Sequence, residues 1–323
     1  MTYLVTGGLG VNGAWVTRRL LEAGHPVLVV DRQTDTSLLG EAASSVQIVN
    51  ADIMDGEAMR ALLAKHEVSC IVHMAALIAG LQEDPLRGLT VNTLGTAQLM
   101  DAAVKTGVKR FVYTSSRAVY GNITGRNAYP DYEPVVEDQC LAAENVYDVT
   151  KLAGELIGRN FAKLGLEFVA LRFATIFGPG KLTRHGAMGI YGKIIEGAMA
   201  GVPVRIPHGG EERDDVIYVG DVAQACLRAA THAGPAYTAY NISRNTGTTL
   251  REFAAEVERQ IPGAEIEIGD GLNYFGGDVN YCGILDNRRA VEDLGFSPEY
   301  DLGQGIAAYI ATLKALGLAP AGA

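Results

Sequence analysis

Apolar and polar positions along the first half of the chain alternate between strand-like and helix-like periods. Tyr3–Thr6 reads as a short buried strand and Asn12–Ala23 as a helix ended by Gly24. Val27–Val30 is a β-branched run that stops at Asp31, and Val46–Val49 is a further strand before a helix over Gly56–Lys65. Cys70–Met74 is apolar again, Pro85 opens a long amphipathic stretch to Thr106, and Arg110–Thr114 forms the next strand. This alternation predicts an α/β fold, a doubly wound parallel sheet with helices on both faces. The stretch Asn122–Glu144, rich in Pro, Asp, Glu and Asn, reads as a long loop. Helix periodicity resumes over Asn145–Leu164, and Phe168–Phe173 is strand-like. Beyond Gly178 the pattern is less regular, with helices expected at Tyr191–Ala200, Val219–His232, Leu250–Gln260 and Gly303–Leu316. Neither an internal repeat nor a low-complexity linker separates the halves. Residues 1–177 are therefore expected to form mainly the sheet domain, and 178–323 mainly a smaller interleaved lobe with segments that return to it.

Composition narrows the class. A chain of 323 residues with 48% hydrophobic and 20% charged positions is that of a soluble globular protein. Its net charge of −10, with no offsetting Lys/Arg cluster, argues against nucleic acid as a partner. The start at Met1-Thr2-Tyr3-Leu4 shows no basic region or cleavage site, and no apolar stretch approaches the roughly 20 residues that span a bilayer, so neither a signal peptide nor a membrane partner is expected. Cys70, Cys140, Cys226 and Cys282 are far apart and form no C-x-x-C; reduced thiols in a cytoplasmic protein, and no metal site, are expected.

Thr6-Gly7-Gly8-Leu9-Gly10-Val11-Asn12-Gly13 follows the first strand and opens a helix. Gly7, Gly10 and Gly13 serve a tight turn, close backbone approach to a pyrophosphate, and helix–strand packing. The helix N-terminus offers free N–H groups to the phosphates. Asp31, at the end of the second strand, can accept hydrogen bonds from an adenosine ribose and would repel a 2′-phosphate, which favours NAD; Arg32 beside it leaves NADP open.

With these features the sequence resembles the extended short-chain dehydrogenase/reductase family, the NAD-dependent epimerase/dehydratase group, over nearly its whole length. The resemblance implies a Rossmann-type fold with a C-terminal substrate-binding lobe. It implies that Asp52, in Ala51-Asp52-Ile53, contacts the adenine. It also implies that His73-Met74-Ala75-Ala76 lines the cofactor and that Asn92 is the family's structural Asn. Taken alone, His73 reads as a packed histidine.

Hydride exchange at a carbon bearing oxygen needs a group that moves the hydroxyl proton. In Tyr147-Asp148-Val149-Thr150-Lys151, residues four apart share a helix face, so Lys151 can lower the phenol's pKa and hold the nicotinamide ribose. Phe111-Val112-Tyr113-Thr114-Ser115-Ser116 resembles the family's strand end. There the last Ser, here Ser116, hydrogen-bonds the substrate oxygen; Ser115 is the alternative donor.

Within the family, Arg117 and Ala118 stand where dehydratases carry Asp and Glu, which excludes a 4,6-dehydratase. Arg213-Asp214 is close to the pattern of nucleotide-sugar enzymes. Thr175, however, replaces the Asn after Arg172-Phe173-Ala174, and Phe275 replaces the Arg of an R-x-G-D segment; Phe cannot clamp a phosphate. Lys181, Arg184 and His185, in the loop after Gly178-Pro179-Gly180, and Arg117 are further candidates for a phosphate, a carboxylate or hydroxyls. Two readings stand: an NAD-dependent dehydrogenase/reductase on a free polyhydroxy compound, which the altered contacts favour, and a nucleotide-sugar 4-epimerase that keeps its NAD, which the family's membership favours. A third, a non-catalytic NAD sensor or scaffold, conflicts with intact Ser116, Tyr147 and Lys151. The resemblance also implies a homodimer, formed by the helices near Pro85–Thr106 and Asn145–Leu164.

Overall fold

The computed structural model describes residues 1–185 and 189–321; the side chains of residues 184 and 185 lie outside the described set. In chain order the first elements are β1 (Thr2–Thr6), α1 (Val11–Glu22), β2 (Val27–Asp31), β3 (Gln47–Asn50), α2 (Gly56–Lys65), β4 (Val68–His73), α3 (Pro85–Gly88), α4 (Thr96–Thr106) and β5 (Arg110–Ser116). There follow α5 (Val146–Ala162), β6 (Glu167–Phe173), β7 (Thr175–Phe177), α6 (Lys181–His185), α7 (Ile190–Ala200), β8 (Val204–Ile206) and β9 (Arg213–Tyr218). The chain closes with α8 (Val219–Thr231), β10 (Ala239–Ile242), β11 (Gly247–Thr249), α9 (Leu250–Gln260), β12 (Ile266–Ile268), α10 (Arg288–Leu294) and α11 (Leu302–Ala315).

Seven strands form one sheet in the order β10-β6-β5-β4-β1-β2-β3, every pair parallel. The period-2 alternation of each strand divides its apolar residues between two cores. Val5, Val29, Val72 and Val112 pack on the α1/α8 side, with Ala14, Val16, Val222 and Ala225. Their neighbours Leu4, Leu28, Ile71 and Phe111 pack on the other side, with Leu62, Leu99 and Met100 of α2 and α4. Burial on both faces is why these strands read as continuous apolar runs. The strand order reverses between β1 and β4, and the chain leaves their C-terminal ends through Thr6–Gly10 and Met74–Ala76. A doubly wound sheet opens its ligand crevice at that point.

The second half crosses back into this sheet. α8 packs against β4, β5 and β6, and β10 extends the edge beside β6. The rest forms two small sheets, β11-β9-β7 and β12-β8, with α7, α9 and α11 around them. The sequence pattern shows none of β8 to β12, because these strands span only three to six residues and β9 begins Arg213-Asp214-Asp215. The amphipathic stretch from Pro85 is three joined pieces, with a π-helical turn at Leu89–Gly95 between α3 and α4. The segment 122–144 lacks regular structure apart from a 3-10 turn at Gly125–Asn127 and a bridge from Val135 to Leu285. It is tied to the second half: Ile123 N–H donates to the Asn280 carbonyl at 2.7 Å and Val135 N–H to that of Ile284 at 2.8 Å. Among the described residues no helix is long and apolar enough to cross a membrane.

Two turns of helix α5 carry glycine where the helix packs on the sheet. A Cβ at Gly154 would run into the Tyr113 ring, and one at Gly158 into the Phe168 ring. A side chain there must push α5 off β5 and β6. Gly158→Val should therefore lower stability by about 1–3 kcal/mol, the usual cost of overpacking a core, read as a lower denaturation midpoint at unchanged slope. A midpoint equal to wild type would show that α5 is free to shift.

Candidate active site

The glycine loop is built so that side chains cannot occupy it. Gly7 has φ +66°, and a Cβ on it would lie 2.8 Å from the Ala75 amide nitrogen. A Cβ on Gly13 would overlap the Gly7 carbonyl. Gly10 is the extended N-cap of α1, with its N–H on the Gly7 carbonyl at 3.0 Å and no side-chain cap. The first-turn N–H groups of α1, around Val11 and Asn12, thus face the crevice for an anion. Asp31 closes the far end: its carboxylate accepts the Leu9 N–H at 2.9 Å and the Gln33 N–H at 3.0 Å, which leaves lone pairs for ribose hydroxyls. Arg32 turns to Asp52, 3.5 Å away, and Asp52 also accepts the Met54 N–H. Ile53, next in the chain, is buried. A nucleoside with a ribose diol fits this donor set; a 2′-phosphate would meet Asp31 and an arginine already paired.

On the other lip, Met74 and Ala75 are held by Thr6, whose carbonyl accepts the Met74 N–H and whose Oγ1 accepts that of Ala75. Ala76 leads on to Leu77, whose N–H and carbonyl are both taken by the Asn92 side chain, at 2.8 and 2.9 Å. Asn92 is buried and also reaches Thr150 at 3.3 Å, joining this lip to the first turns of α5. His73 is packed: its ring bonds to Thr6 at 2.7 Å and Thr96 at 2.9 Å, and burial lowers it to about 3, so it stays neutral.

Ser116, Tyr147 and Lys151 meet above the end of β5. Ser116 comes close enough to Tyr147 to hold its phenol down, and Ser116 Oγ accepts the Ala118 N–H at 3.1 Å. The Lys151 ammonium donates to the Thr114 carbonyl at 2.7 Å and lies 5.6 Å from the Tyr147 ring centre. Thr114 Oγ1 in turn donates to the His73 carbonyl. Burial pushes the Tyr147 phenol up to about 12, opposed by Ser116 and assisted by the Asp148 carboxylate. Burial also lowers Lys151 to about 8. In the free chain, then, burial outweighs the expected effect of Lys151 on the phenol.

Several expected substrate contacts are spent inside the protein. Ser115 is the clearest correction: alternation along β5 turns it from the cleft, and its hydroxyl donates to Glu155 at 2.6 Å in the core. Arg117 is buried in an ion pair with Asp214. Thr175 donates to the same carboxylate at 2.6 Å. Arg213 points along the small sheet to the Gly247 carbonyl at 3.0 Å and to Glu252 at 3.4 Å, away from Asp214. Lys181 donates to the Ile176 carbonyl. Arg184 and His185 belong to α6, and their side chains lie outside the described residues. Phe275 is 42% exposed and binds nothing polar.

Residues not singled out from the sequence complete the site. Asp214 also takes the hydroxyls of Tyr274, at 2.7 Å, and Tyr191, at 3.5 Å. Beside Tyr147, the buried Asp148 carboxylate takes the Tyr281 hydroxyl at 2.9 and 3.0 Å, and that hydroxyl also accepts from Asn145, the N-cap of α5. Asp148 and Asp214 are visible in the sequence beside Tyr147 and Arg213, but their tyrosine partners are distant along the chain and carry no local pattern.

The family described as NAD dependent epimerase/dehydratase matches residues 3–243. A UDP-glucose 4-epimerase of Mycolicibacterium smegmatis is 32% identical over 320 residues, covering 95% of this chain and 96% of its own. Among solved structures, the UDP-glucose 4-epimerase of Thermotoga maritima with UDP-glucose aligns at a TM-score of 0.84 and 27% identity, over 97% of this chain and 99% of that one. That of Thermus thermophilus in complex with NAD aligns at 0.81 and 26%, with the same coverage.

If Tyr147 moves the substrate proton, Tyr147→Phe should cut kcat about 10²–10⁴-fold, the usual worth of acid–base catalysis, with NAD affinity kept. In the oxidative direction kcat/KM should climb from pH 6 to pH 8, because the phenolate fraction grows as pH rises toward about 12. A flat profile with an active phenylalanine variant would remove Tyr147 from the chemistry.

Proposed function

The chain belongs to the NAD dependent epimerase/dehydratase family and is an NAD-dependent enzyme, and on that premise we propose that it oxidises and reduces one secondary alcohol carbon of a free polyhydroxy compound, a sugar or sugar acid. Bound NAD supplies the hydride acceptor in one direction and the donor in the other. Gly7, Leu9, Gly10, Val11, Asn12 and Gly13 cradle its pyrophosphate, Asp31 its ribose, and Asp52, Ile53 and Met74–Ala76 line the remaining walls. Ser116 holds the substrate oxygen. Tyr147 takes or returns its proton, and Lys151, fixed on the Thr114 carbonyl, keeps a positive charge beside the phenol. Residues 178–323 furnish most of the substrate lobe.

The observation that supports the reading is the meeting of Ser116, Tyr147 and Lys151 at the C-terminal end of β5, the strand beside β4. The restriction to a free substrate rests on the engagement of Arg117 and Thr175 with Asp214 and on Phe275 in the place of an arginine. A second reading, a nucleotide-sugar 4-epimerase, is supported by full-length similarity to UDP-glucose 4-epimerases. Calorimetric titration of the NAD-loaded protein with UDP and the other nucleoside diphosphates separates them. No binding, followed by NADH production from polyols or sugar acids, is expected; micromolar binding of a nucleoside diphosphate would put the epimerase reading first.

We further propose a homodimer. Leu86 and Leu89, at α3 and the π turn, are 73% and 39% exposed, with Leu94 at 50% on that turn and Val149 and Leu156 of α5 at 42% and 48%. α5 packs beside α3 and the π turn, so these residues share one side of the molecule, an apolar face of the kind that pairs helices between subunits. Light scattering should give the dimer mass, and Leu156→Glu should shift it toward monomer; a wild-type monomer at micromolar concentration would refute the assembly.

A further inference from the structure

Two segments carry the hydroxyls of the site. Ser116 ends β5 and runs on into residues 117–123, and Tyr147 is the second residue of α5. Beyond its first turn α5 is well held: Lys151 lies on the Thr114 carbonyl, Glu155 on Arg172, and the helix packs on the sheet at Gly154 and Gly158. The first turn is less covered. Asn145, Val146 and Tyr147 are half-buried and Val149 is exposed. A helix start also leaves N–H groups that need an acceptor from outside the helix.

Asn145 caps this start, its Oδ1 accepting the Asp148 N–H at 3.2 Å, while the Asp148 carboxylate turns back and accepts the Glu144 N–H at 3.2 Å. Such reciprocal caps close between residues three apart. This one has a further member from far along the chain. The Tyr281 hydroxyl is shared between both Asp148 oxygens, at 2.9 and 3.0 Å, and accepts from Asn145 Nδ2. Tyr147 lies between the two residues that Tyr281 grips. Asp148 is fully buried and has no cationic partner among the described residues, so hydrogen bonds alone hold its charge. Burial pushes its carboxyl above the usual range, and the Tyr281 hydroxyl is foremost among the bonds that oppose this.

The residue before Tyr281 makes the opposite attachment. The Asn280 N–H donates to Asn122 Oδ1 at 2.8 Å, and the Asn280 carbonyl accepts the Ile123 N–H at 2.7 Å. One dipeptide thus holds the chain that leaves Ser116 with its backbone, and the cap around Tyr147 with its side chain.

We infer that Asn280–Tyr281 is a cross-brace in which Tyr281 is a positioning residue: its hydroxyl closes the cap of α5 and so sets where Tyr147 stands relative to Ser116. The inference rests on the proposed pairing of Ser116 and Tyr147 in proton transfer, and it assigns the setting of that pair to a third residue.

The test uses the NAD-loaded full chain, labelled with carbon-13 at tyrosine Cζ and read by NMR. The Tyr147 signal is the one lost in Tyr147→Phe, and its displacement in Ser116→Ala measures the contact between the two residues. In Tyr281→Phe, which keeps the ring, that signal should move toward its Ser116→Ala position. The Asp148 and Val149 amide protons should exchange about tenfold faster or more, with exchange in the last turn of α5 and NAD affinity at wild-type values. Faster exchange with an unmoved Tyr147 signal would reduce Tyr281 to a helix cap and overturn the inference, as would no change in either. A Tyr147 signal indifferent to Ser116→Ala would refute the pairing itself, and the inference with it. If Tyr281→Phe does not fold, Asp148→Asn and Asp148→Ala decide. Asn still accepts the Tyr281 hydroxyl and should keep slow exchange at Val149, whereas Ala should not; equal exchange in the two would overturn the brace.

Discussion

The geometry of the site depends on a buried ion pair that touches no part of the crevice. Arg172 on β6 is 1% exposed and Glu155 on α5 is fully buried. The guanidinium gives Nε and one terminal nitrogen to Glu155 at 2.9 and 2.7 Å, and the other to the Tyr120 hydroxyl and the Glu137 carbonyl, both at 2.9 Å. Removing one member of such a pair strands the other and typically costs about 3–5 kcal/mol, although the intact pair adds little net stability. Its value is positional. Glu155 lies one helical turn beyond Lys151 and two beyond Tyr147, on the same face. Fixing Glu155 against Ser115 and Arg172 therefore fixes the rotation and register of α5 over β5, so that Lys151 meets the Thr114 carbonyl and Tyr147 meets Ser116.

A second constraint repeats at both hydroxyl residues. Each is followed in the chain by a charged residue anchored to the second half of the molecule: Arg117, after Ser116, is bound by Asp214 of β9, and Asp148, after Tyr147, is bound by Tyr281. Tyr274 and Tyr281 belong to one segment, which also binds the 122–144 loop through Asn280. The second half of the molecule is thus joined to β5 and α5 one residue from Ser116 and from Tyr147.

Six of the seven strands of the large sheet, all but β10, and their flanking helices were legible because each obeys a local rule: continuous apolar runs for strands buried on both faces, helical spacing for α1, α2, α4 and α5, and glycines where a backbone must be approached. The glycine loop, Asp31 and the Tyr147–Lys151 pair follow for the same reason, since each is set by spacing within one element. What stayed hidden is what long-range pairing decides. β9 reads as charged loop because Asp214 and Asp215 look solvated until Arg117, Tyr274 and backbone N–H groups from distant segments cover them. Ser115 and Ser116 are equivalent in the sequence, and only the pleat of β5 against Glu155 tells them apart. Arg117, Thr175 and Arg213 present free cationic or hydroxyl groups on paper, and their internal partners lie 97, 39 and 39 residues away.

The protonation state of the site follows from the same burial that positions it. With Tyr147 at about 12 and Lys151 at about 8, the order of the two groups at neutral pH is a neutral phenol beside an ammonium. In the proposed chemistry, that pairing suits donation of a proton to a carbonyl oxygen. The opposite direction needs more positive charge near the phenol than Lys151 alone provides, and Asp148 works against it. Asp148 is also the acceptor that ties Tyr281 to the first turn of α5. The same carboxylate therefore opposes ionisation of Tyr147 and anchors the segment of Tyr281 to α5.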